Sequence, residues 1–301
     1  MARHPHAGGG AKGLAAADYR HLVDWAKHED LGPGDITSEA TILADATGRA
    51  AIVFREVGVL CGMPVVGTAL QAYDAELRLE KAKTDGSAMK AGQTAGVVSG
   101  PLRSILAAER VLLNFLQRLS GIATVTRQFV DAVAGTKAQI CDTRKTTPGW
   151  RLLEKYAVRC GGGSNHRVGL FDAVLIKDNH LAGLDEPSLR EGVEEAIERI
   201  SNRPAPPAFI EVEVDTLEQF EEILPIPGID MILLDNMDVA ELRQAVRRRD
   251  EAYPAGGLLL EASGNIKLTN VRSIAETGVD RISVGALTHS VRAVNIGLDL
   301  E

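Results

Sequence analysis

From residue 139 onward the hydrophobic positions alternate between two periods. Short apolar runs rich in branched residues fall at 139–141, 173–176, 209–214, 231–234, 258–261 and 281–284. Helical spacing fills most of the gaps between them. Asp185 is placed to cap a helix that carries Leu189, Val193, Ile197 and Ile200 on one face. Thr216-Leu-Glu-Gln219 and Asp238-Val-Ala-Glu241 have the form of capping boxes opening the next two helices. Thr269 is expected to cap a further helix, with Val271, Ile274 and Ala275 inward and Gly278 at its end. Strands that are apolar on both faces and alternate with helices predict a parallel sheet covered by helices.

The polar residues decide which kind of parallel sheet. Each apolar run ends in a chemically useful group: Arg144 and Lys145, then Lys177, Glu213, Asp235, Ser263-Gly264 and Gly285. Reactive groups gathered at the carboxyl ends of successive strands predict an α/β barrel. An open doubly wound sheet would concentrate them at one switch point after an early glycine-rich turn. No Walker motif occurs in the chain, and no Gly-x-Gly-x-x-Gly pattern follows an expected strand.

The first ~120 residues read differently. A helix is expected over 18–28 and strands over 48–60 and 76–83, with turn chemistry at Asp85-Gly86. Ser104 then opens a helix bearing Ile105, Ala108, Leu112, Phe115 and Leu119 at helical spacing, which Gly121 is expected to end. Leu106, Leu113 and Leu116 widen its apolar face, so the helix is buried on more than one side while keeping Glu109 and Arg110. These patterns divide the chain into an N-terminal domain at 1–121, with a disordered tail at 1–15, and a catalytic domain at 122–301 whose last residues have the option of returning to the first.

Charge changes the picture. The chain has a formal charge of −8, yet between Arg144 and Lys177 seven basic residues face two acidic ones. A confined surplus interleaved with glycines points to a pocket for a small polyanion. Nucleic acid would require basic charge spread over many phosphates. No run reaches the ~20 apolar residues of a membrane span, and residues 1–13 resemble neither a signal peptide nor an anchor. Three cysteines without Cys-x-x-Cys spacing argue against a zinc site and a secreted disulfide framework, and place the expected compartment in the reducing cytoplasm. Arg151, Lys155 and Arg159, four residues apart on an expected helix, read as a solvated face. Ser263-Gly264-Asn265 and Val284-Gly285-Ala286 offer glycine-exposed backbone N–H groups that suit a monoester phosphate. Glu211 and Glu213 share one strand face, and the pattern alone does not separate them.

Longer motifs add a resemblance. They run from Glu29-Asp-Leu-Gly-Pro-Gly-Asp-Ile-Thr-Ser38 through Ala108-Glu-Arg110, Asn114-Phe-Leu-Gln-Arg-Leu-Ser-Gly-Ile-Ala-Thr124, Asp142-Thr-Arg-Lys-Thr-Thr-Pro148 and Gly161-Gly-Gly-Ser-Asn-His-Arg167. They continue with Ile176-Lys-Asp-Asn-His180, Glu211-Val-Glu-Val-Asp215, Leu233-Leu-Asp-Asn236, Glu261-Ala-Ser-Gly-Asn265 and Ser283-Val-Gly-Ala-Leu-Thr-His289. Together these resemble the quinolinate phosphoribosyltransferase family over nearly the whole chain. The resemblance implies a small α/β sandwich domain followed by an incomplete α/β barrel of the seven-stranded type. It implies a homodimer with shared active sites, with further assembly to a hexamer left open. The implied reaction joins quinolinate to 5-phosphoribosyl-1-pyrophosphate (PRPP) with Mg²⁺ and no organic cofactor, giving nicotinate mononucleotide, pyrophosphate and carbon dioxide.

By that resemblance Arg110 (from the partner subunit), Arg144, His166 and Arg167 hold the two carboxylates, and Thr143 adds a hydroxyl. Lys145 and Lys177 lie near the pyridine and the pyrophosphate, and Glu213, selected over Glu211, joins Asp235 as a metal-linked or ribose-hydroxyl ligand. Lys145, Lys177, Glu213 and Asp235 are the expected catalytic residues. Two rival functions remain at this level: a sugar-phosphate aldolase with Lys177 as Schiff base, and an anion sensor without turnover.

Overall fold

A computed structural model describes residues 14–181 and 188–301. Residues 1–13 of the tail expected over 1–15, and the Asp185 cap, lie outside the described residues, whereas Leu14 and Ala15 are described. The elements in chain order are α1 (Arg20–Leu31), α2 (Ile36–Thr41), β1 (Thr47–Phe54), β2 (Gly58–Val59), α3 (Met63–Tyr73), β3 (Arg78–Glu80), β4 (Ala88–Met89), β5 (Thr94–Pro101) and α4 (Leu102–Ala132). There follow β6 (Gln139–Cys141), α5 (Arg151–Cys160), β7 (Val174–Ile176), α6 (Asp178–Leu181), α7 (Leu189–Ser201), β8 (Ile210–Val214) and α8 (Leu217–Ile223). The last are β9 (Met231–Asp235), α9 (Val239–Ala252), β10 (Leu259–Ser263), α10 (Val271–Ala275), β11 (Arg281–Ser283), α11 (Ala286–His289) and β12 (Ile296–Leu300). Among the described residues, 14–127, Lys145–Gly163 and Ala286–Glu301 form one compact unit; Gln128–Arg144 and Ser164–Gly285 form the other.

The first unit is built on an antiparallel sheet ordered β12-β1-β5-β3. The strand expected over 48–60 is two strands, because β1 pairs with β5 and β12 while β2 turns away to pair with β4. The pattern reading lacks α2, α3, β5 and β12. The first of these is opened by Asp35, whose carboxylate accepts the N–H groups of Thr37 and Ser38. In α4, Ile105, Ala108, Leu112, Phe115 and Leu119 are all buried, as the spacing predicts, and Leu113 and Leu116 join them.

Gly121 does not end that helix. The helix runs eleven residues past it, and the glycine is there for close approach: a Cβ would meet the Arg292 carbonyl oxygen at 2.3 Å. Ser104 bonds Asp74 at 2.6 Å. Lys155 corrects the reading of α5 as a solvated basic face, for it is buried with 2% of its surface exposed. It sits beside Leu153, Glu154, Ala157 and Val158 on the inward side of the helix.

In the second unit six strands lie parallel in the order β6-β11-β10-β9-β8-β7. The first strand in sequence joins the last, which is barrel order, while β6 and β7 share no ladder. A seventh segment touches the free edge of β6 through a single bridge, Cys141 to Ser164. The barrel is therefore incomplete, with six strands in the ladder where seven were expected.

The helices follow their caps. Thr216 accepts the Gln219 N–H and Asp238 forms a full capping box with Glu241, while α7 is capped by Ser188. Thr269 does not cap α10, whose first turn follows Asn270 without a side-chain cap. Among the described residues no helix is long and apolar enough to cross a membrane.

The N-terminal ends of the parallel strands are knotted by Asp280. Its carboxylate accepts Arg249 Nη1 at 2.7 Å and the Leu260 N–H at 2.9 Å, and pairs with Lys137 at 2.7 Å. Burial pushes its pKa up, but the Lys137, Leu260 and Arg249 donors outweigh that, and the net shift is downward. A depressed carboxylate contributes stability above its unfolded pKa of ~3.9, and that contribution is lost as pH falls through the lower folded value. Asp280→Asn is expected to cost about 3 kcal/mol at pH 7, a melting midpoint lowered by roughly 6–10 °C. Thermal melts from pH 7 to pH 3 should show the gap to wild type narrowing below pH ~4.

Candidate active site

The parallel-sheet unit stacks polar side chains in two levels on one sheet face. Alternation along a strand puts Glu211 with Glu213 on β8, Glu261 with Ser263 on β10, and Arg281 with Ser283 on β11. Strand register then brings Glu261 beside Arg281, and Ser263 beside Asp235. The lower level is closed: Glu211 and Glu261 are fully buried and Arg281 is nearly so. The upper level, at the carboxyl ends, is open, with Glu213, Asp235, Ser263 and Gly264 half-buried.

Ions placed in a closed level need partners. Arg281 Nε lies 2.9 Å from Glu261 Oε2. His166 Nε2 lies 2.8 Å from Glu211 Oε2 and 3.6 Å from Glu261 Oε1. Burial, followed by the Glu261 charge, pushes the Glu211 carboxyl above its ordinary value. Burial also pushes the Cys141 thiol up to about 12, so it is a neutral wall residue.

This level holds up the loop after Ser164. The Asp142 carboxylate, at the tip of β6, accepts the His166 N–H at 2.9 Å and Asn165 Nδ2 at 2.5 Å. Asp172 accepts the N–H groups of Val168 and Gly169 at 2.7 and 2.8 Å. Arg167 lies between these anchors and donates to the Ala173 carbonyl at 3.3 Å. Burial and the neighbouring Arg144 charge lower its pKa, while Glu211, Asp172 and Glu213 oppose them. A guanidinium stays charged through such a shift. The Arg144 charge thus acts on Arg167, and two guanidiniums in one neighbourhood suit an anion.

The upper level carries further candidates. Lys177, at the end of β7, forms an ion pair with Glu213 Oε2 on neighbouring β8. Glu211 and Glu213, inseparable by pattern, are separated by depth: one holds His166 below, the other Lys177 above. Asp235 accepts from Asn236 Nδ2 at 2.6 Å. Asn236 and Asn265 both have positive φ, and Asn265 Nδ2 donates to Asn236 Oδ1 at 3.0 Å. Gly264 between them is obligatory, since its φ is +90° and a Cβ would fall 2.1 Å from Asn236 Oδ1. Asp235 is not a helix cap, because Asp238 caps α9. Thr143, Val284 and Gly285 also belong to this unit, at the tips of β6 and β11.

The antiparallel-sheet unit holds the other candidates. Arg110 is exposed on α4. The Lys145 carbonyl accepts the Thr288 hydroxyl at 2.7 Å, and Ala286 opens the helix that carries Thr288. Arg118 fixes the same stretch: its Nη2 donates to Glu154 Oε1 at 2.7 Å, Thr147 Oγ1 at 2.9 Å and the Thr288 carbonyl at 3.1 Å. Pattern reading left Asp142, Asp172, Arg118, Glu154, Glu261 and Arg281 out of the site. Four charged residues inside apolar runs or buried helices (Glu211, Glu261, Arg281 and Glu154) were the available signal, since such groups are seldom fully buried without a partner.

His166 gives a direct check on the lower level. The acids facing it raise its pKa against burial, but its Nδ1 already accepts the Arg167 N–H at 2.8 Å. That hydrogen bond opposes a second proton, so the ring is the neutral Nε2–H form donating to Glu211. Nitrogen-15 NMR at pH 7 is expected to show the His166 ring as the neutral Nε2–H form, with its hydrogen bond weakened and no imidazolium appearing in Glu211→Gln. An imidazolium already present at pH 7 in the wild type contradicts the assignment.

Comparison with known proteins places this arrangement. A model of the quinolinate phosphoribosyl transferase N-terminal domain matches residues 35–120, and one of the C-terminal domain matches residues 122–299. The nicotinate-nucleotide pyrophosphorylase [carboxylating] of Mycobacterium leprae is 46% identical over 288 residues, covering 93% of this chain and 96% of that protein. The probable enzyme of the same name from Bacillus subtilis is 40% identical and covers 90% of each. The solved nicotinate-nucleotide pyrophosphorylase of Francisella tularensis has a TM-score of 0.86 at 37% identity, covering 96% of this chain and 98% of that one. The chain belongs to the quinolinate phosphoribosyl transferase family.

Proposed function

We propose that this protein transfers the phosphoribosyl group of PRPP to the ring nitrogen of quinolinate and releases carbon dioxide and pyrophosphate, forming nicotinate mononucleotide for NAD synthesis. The observation that carries this reading is the pairing of two electrostatically distinct levels on one sheet face. Below, Glu211, Glu261 and Arg281 are sealed and hold the His166-Arg167 loop. Above, cations and half-exposed carboxylates lie at strand tips, where two polyanionic substrates require them.

The proposed roles follow from charge. Arg144 and Arg167 serve a pyridine dicarboxylate, and the planar forks suit its carboxylates. Thr143 adds a hydroxyl. His166 acts by holding Arg167 and Glu211 in place. Lys177 is a movable point charge, released from Glu213 to meet the leaving pyrophosphate, and Lys145 is assigned the same class of anion. Ser263, Gly264 and Asn265, with Val284, Gly285 and Ala286, are proposed for the monoester phosphate through exposed backbone N–H groups. Arg110 is proposed to serve the site of a partner subunit in a homodimer.

Glu213 and Asp235 offer only carboxylate oxygens on neighbouring strands, which fits a hydrated Mg²⁺ shared with substrate phosphates. When bound, that ion neutralises charge on the pyrophosphate. The buried His166–Glu211–Glu261 group does not fit the same hydrated ion, because both carboxylates are sealed from water. Bond formation at the ring nitrogen makes it cationic, and that positive charge stabilises the carbanion left when the adjacent carboxylate departs as carbon dioxide, before a proton from water replaces it. No organic cofactor is needed for that step. The protein contributes positioning and preorganised charge.

The aldolase alternative needs a Lys177 amine free to attack a carbonyl, whereas that amine is engaged by Glu213. The protein is proposed to act in the cytoplasm, whose reducing conditions suit its free cysteines. Purified protein given quinolinate, PRPP and Mg²⁺ is expected to release carbon dioxide and pyrophosphate in equal amounts. Nicotinate as acceptor should give neither, and Lys177→Ala should lose about 10²–10³-fold in kcat. Turnover without pyrophosphate, or borohydride trapping of a substrate on Lys177, refutes the proposal.

A further inference from the structure

The antiparallel-sheet unit contains a second cluster of reactive side chains, separate from every residue given a role above. Cys61 lies in the turn between β2 and α3, and Cys160 is the last residue of α5. Their sulfurs and a carboxylate oxygen of Asp85 all lie within 4.8 Å of one another. Two of the chain's three cysteines, 99 positions apart in sequence, have thus been brought together by the fold.

We propose that Cys61 and Cys160 form a reversible intramolecular disulfide when the protein meets a peroxide. The Asp85 carboxylate argues for thiol chemistry over a metal site. Its Oδ2 accepts the Gly62 N–H at 2.8 Å and the Tyr156 hydroxyl at 2.8 Å, and its Oδ1 accepts the Met63 N–H at 3.1 Å. Those three donors occupy the oxygens that a cation would need, and they leave the two sulfurs facing each other.

The two thiols are unequal in the way that such a reaction requires. Cys160 is half-buried and open to a small oxidant, whereas Cys61 is fully buried. The neighbouring Cys61 thiol holds the Cys160 thiol below its ordinary pKa, although burial opposes it. Burial, and then the neighbouring Cys160, push Cys61 well up. Cys160 is therefore the attacking sulfur and Cys61 the resolving one.

The step balances without another reagent. Cys160 thiolate attacks one peroxide oxygen, the O–O bond breaks, and with one proton taken up water leaves a sulfenic acid on Cys160. Cys61 sulfur then attacks the sulfenic sulfur, the S–O bond breaks, and a second water departs with the Cys61 proton. Two thiols and one peroxide give one disulfide and two waters.

Glycines follow both cysteines. Cys61 is followed by Gly62, with φ +119°, and Cys160 by Gly161 and Gly162, the latter with φ +92°. Ser120 pins the Cys61 backbone through its N–H at 3.0 Å and its carbonyl at 3.3 Å. The adjustment accordingly falls on the end of α5. From there the chain continues directly through Gly161-Gly-Gly163 toward His166 and Arg167, so oxidation ties down the lead into the loop that carries Arg167.

Mass spectrometry of the full-length protein tests this without relying on the proposed transferase activity. Reduced protein is treated with hydrogen peroxide, blocked with iodoacetamide and digested without reductant. The expected product is a peptide pair joining Cys61 to Cys160, about 2 Da lighter than the sum of its reduced parts. Dithiothreitol should reverse it, Cys61→Ser and Cys160→Ser should each abolish it, and Cys141→Ser should leave it intact. With limiting iodoacetamide and no peroxide, Cys160 should be alkylated before Cys61. Oxidation of Cys160 to sulfinic acid with Cys61 still reduced, or a link that joins two chains, overturns the proposal.

Discussion

The parallel-sheet unit depends on a set of charges that it has no water to solvate. Glu211, Glu261 and Arg281 project from adjacent or nearby strands into one sealed level, and His166 closes it from the loop side. Removing such ions from water costs several kcal/mol each, so none can lose its partner cheaply. That cost is what fixes the loop. His166 must meet Glu211, its N–H must meet Asp142, and the Arg167 N–H must meet His166 Nδ1. Arg167 is left with little choice of position.

Strand geometry then converts depth into function. One alternation further along β8 and β10, the same face carries Glu213 and Ser263, now half-buried. Lys177 spans to Glu213, and Asn236, Gly264 and Asn265 lock the tips of β9 and β10 in left-handed backbone conformations. Such conformations cost energy unless their surroundings over-determine them. Here the Asn265-to-Asn236 side-chain bond and the bond from the Asn236 N–H to the Ser263 carbonyl supply that restraint. The tips are rigid because the base is, and a rigid array of charge is what stabilises charge developing in a reaction.

The legible parts of the chain were those in which one residue reports on its own surroundings. The parallel strands, the Thr216 and Asp238 caps and the buried stripe of α4 follow from local periodicity. Gly121 was misread because glycine serves two purposes, ending helices and admitting a neighbour, and only Arg292 across the fold distinguishes them. Lys155 was misread because spacing of charges on a helix does not say which face is inward. Glu211 and Glu213 were ambiguous for the same reason: period two gives the face of a strand but not the depth. β12 pairs with β1 across nearly the whole chain length, a contact that no local window contains.

The central claim is that the strand tips form a cationic array, held from below, that suits two carboxylates rather than one. Calorimetric titration of the purified protein with quinolinate and, separately, with nicotinate measures this directly. The dianion should bind at least tenfold more tightly, the equivalent of about 1.5–3 kcal/mol for one charge-assisted carboxylate contact. Equal affinities for the two acids would contradict the account.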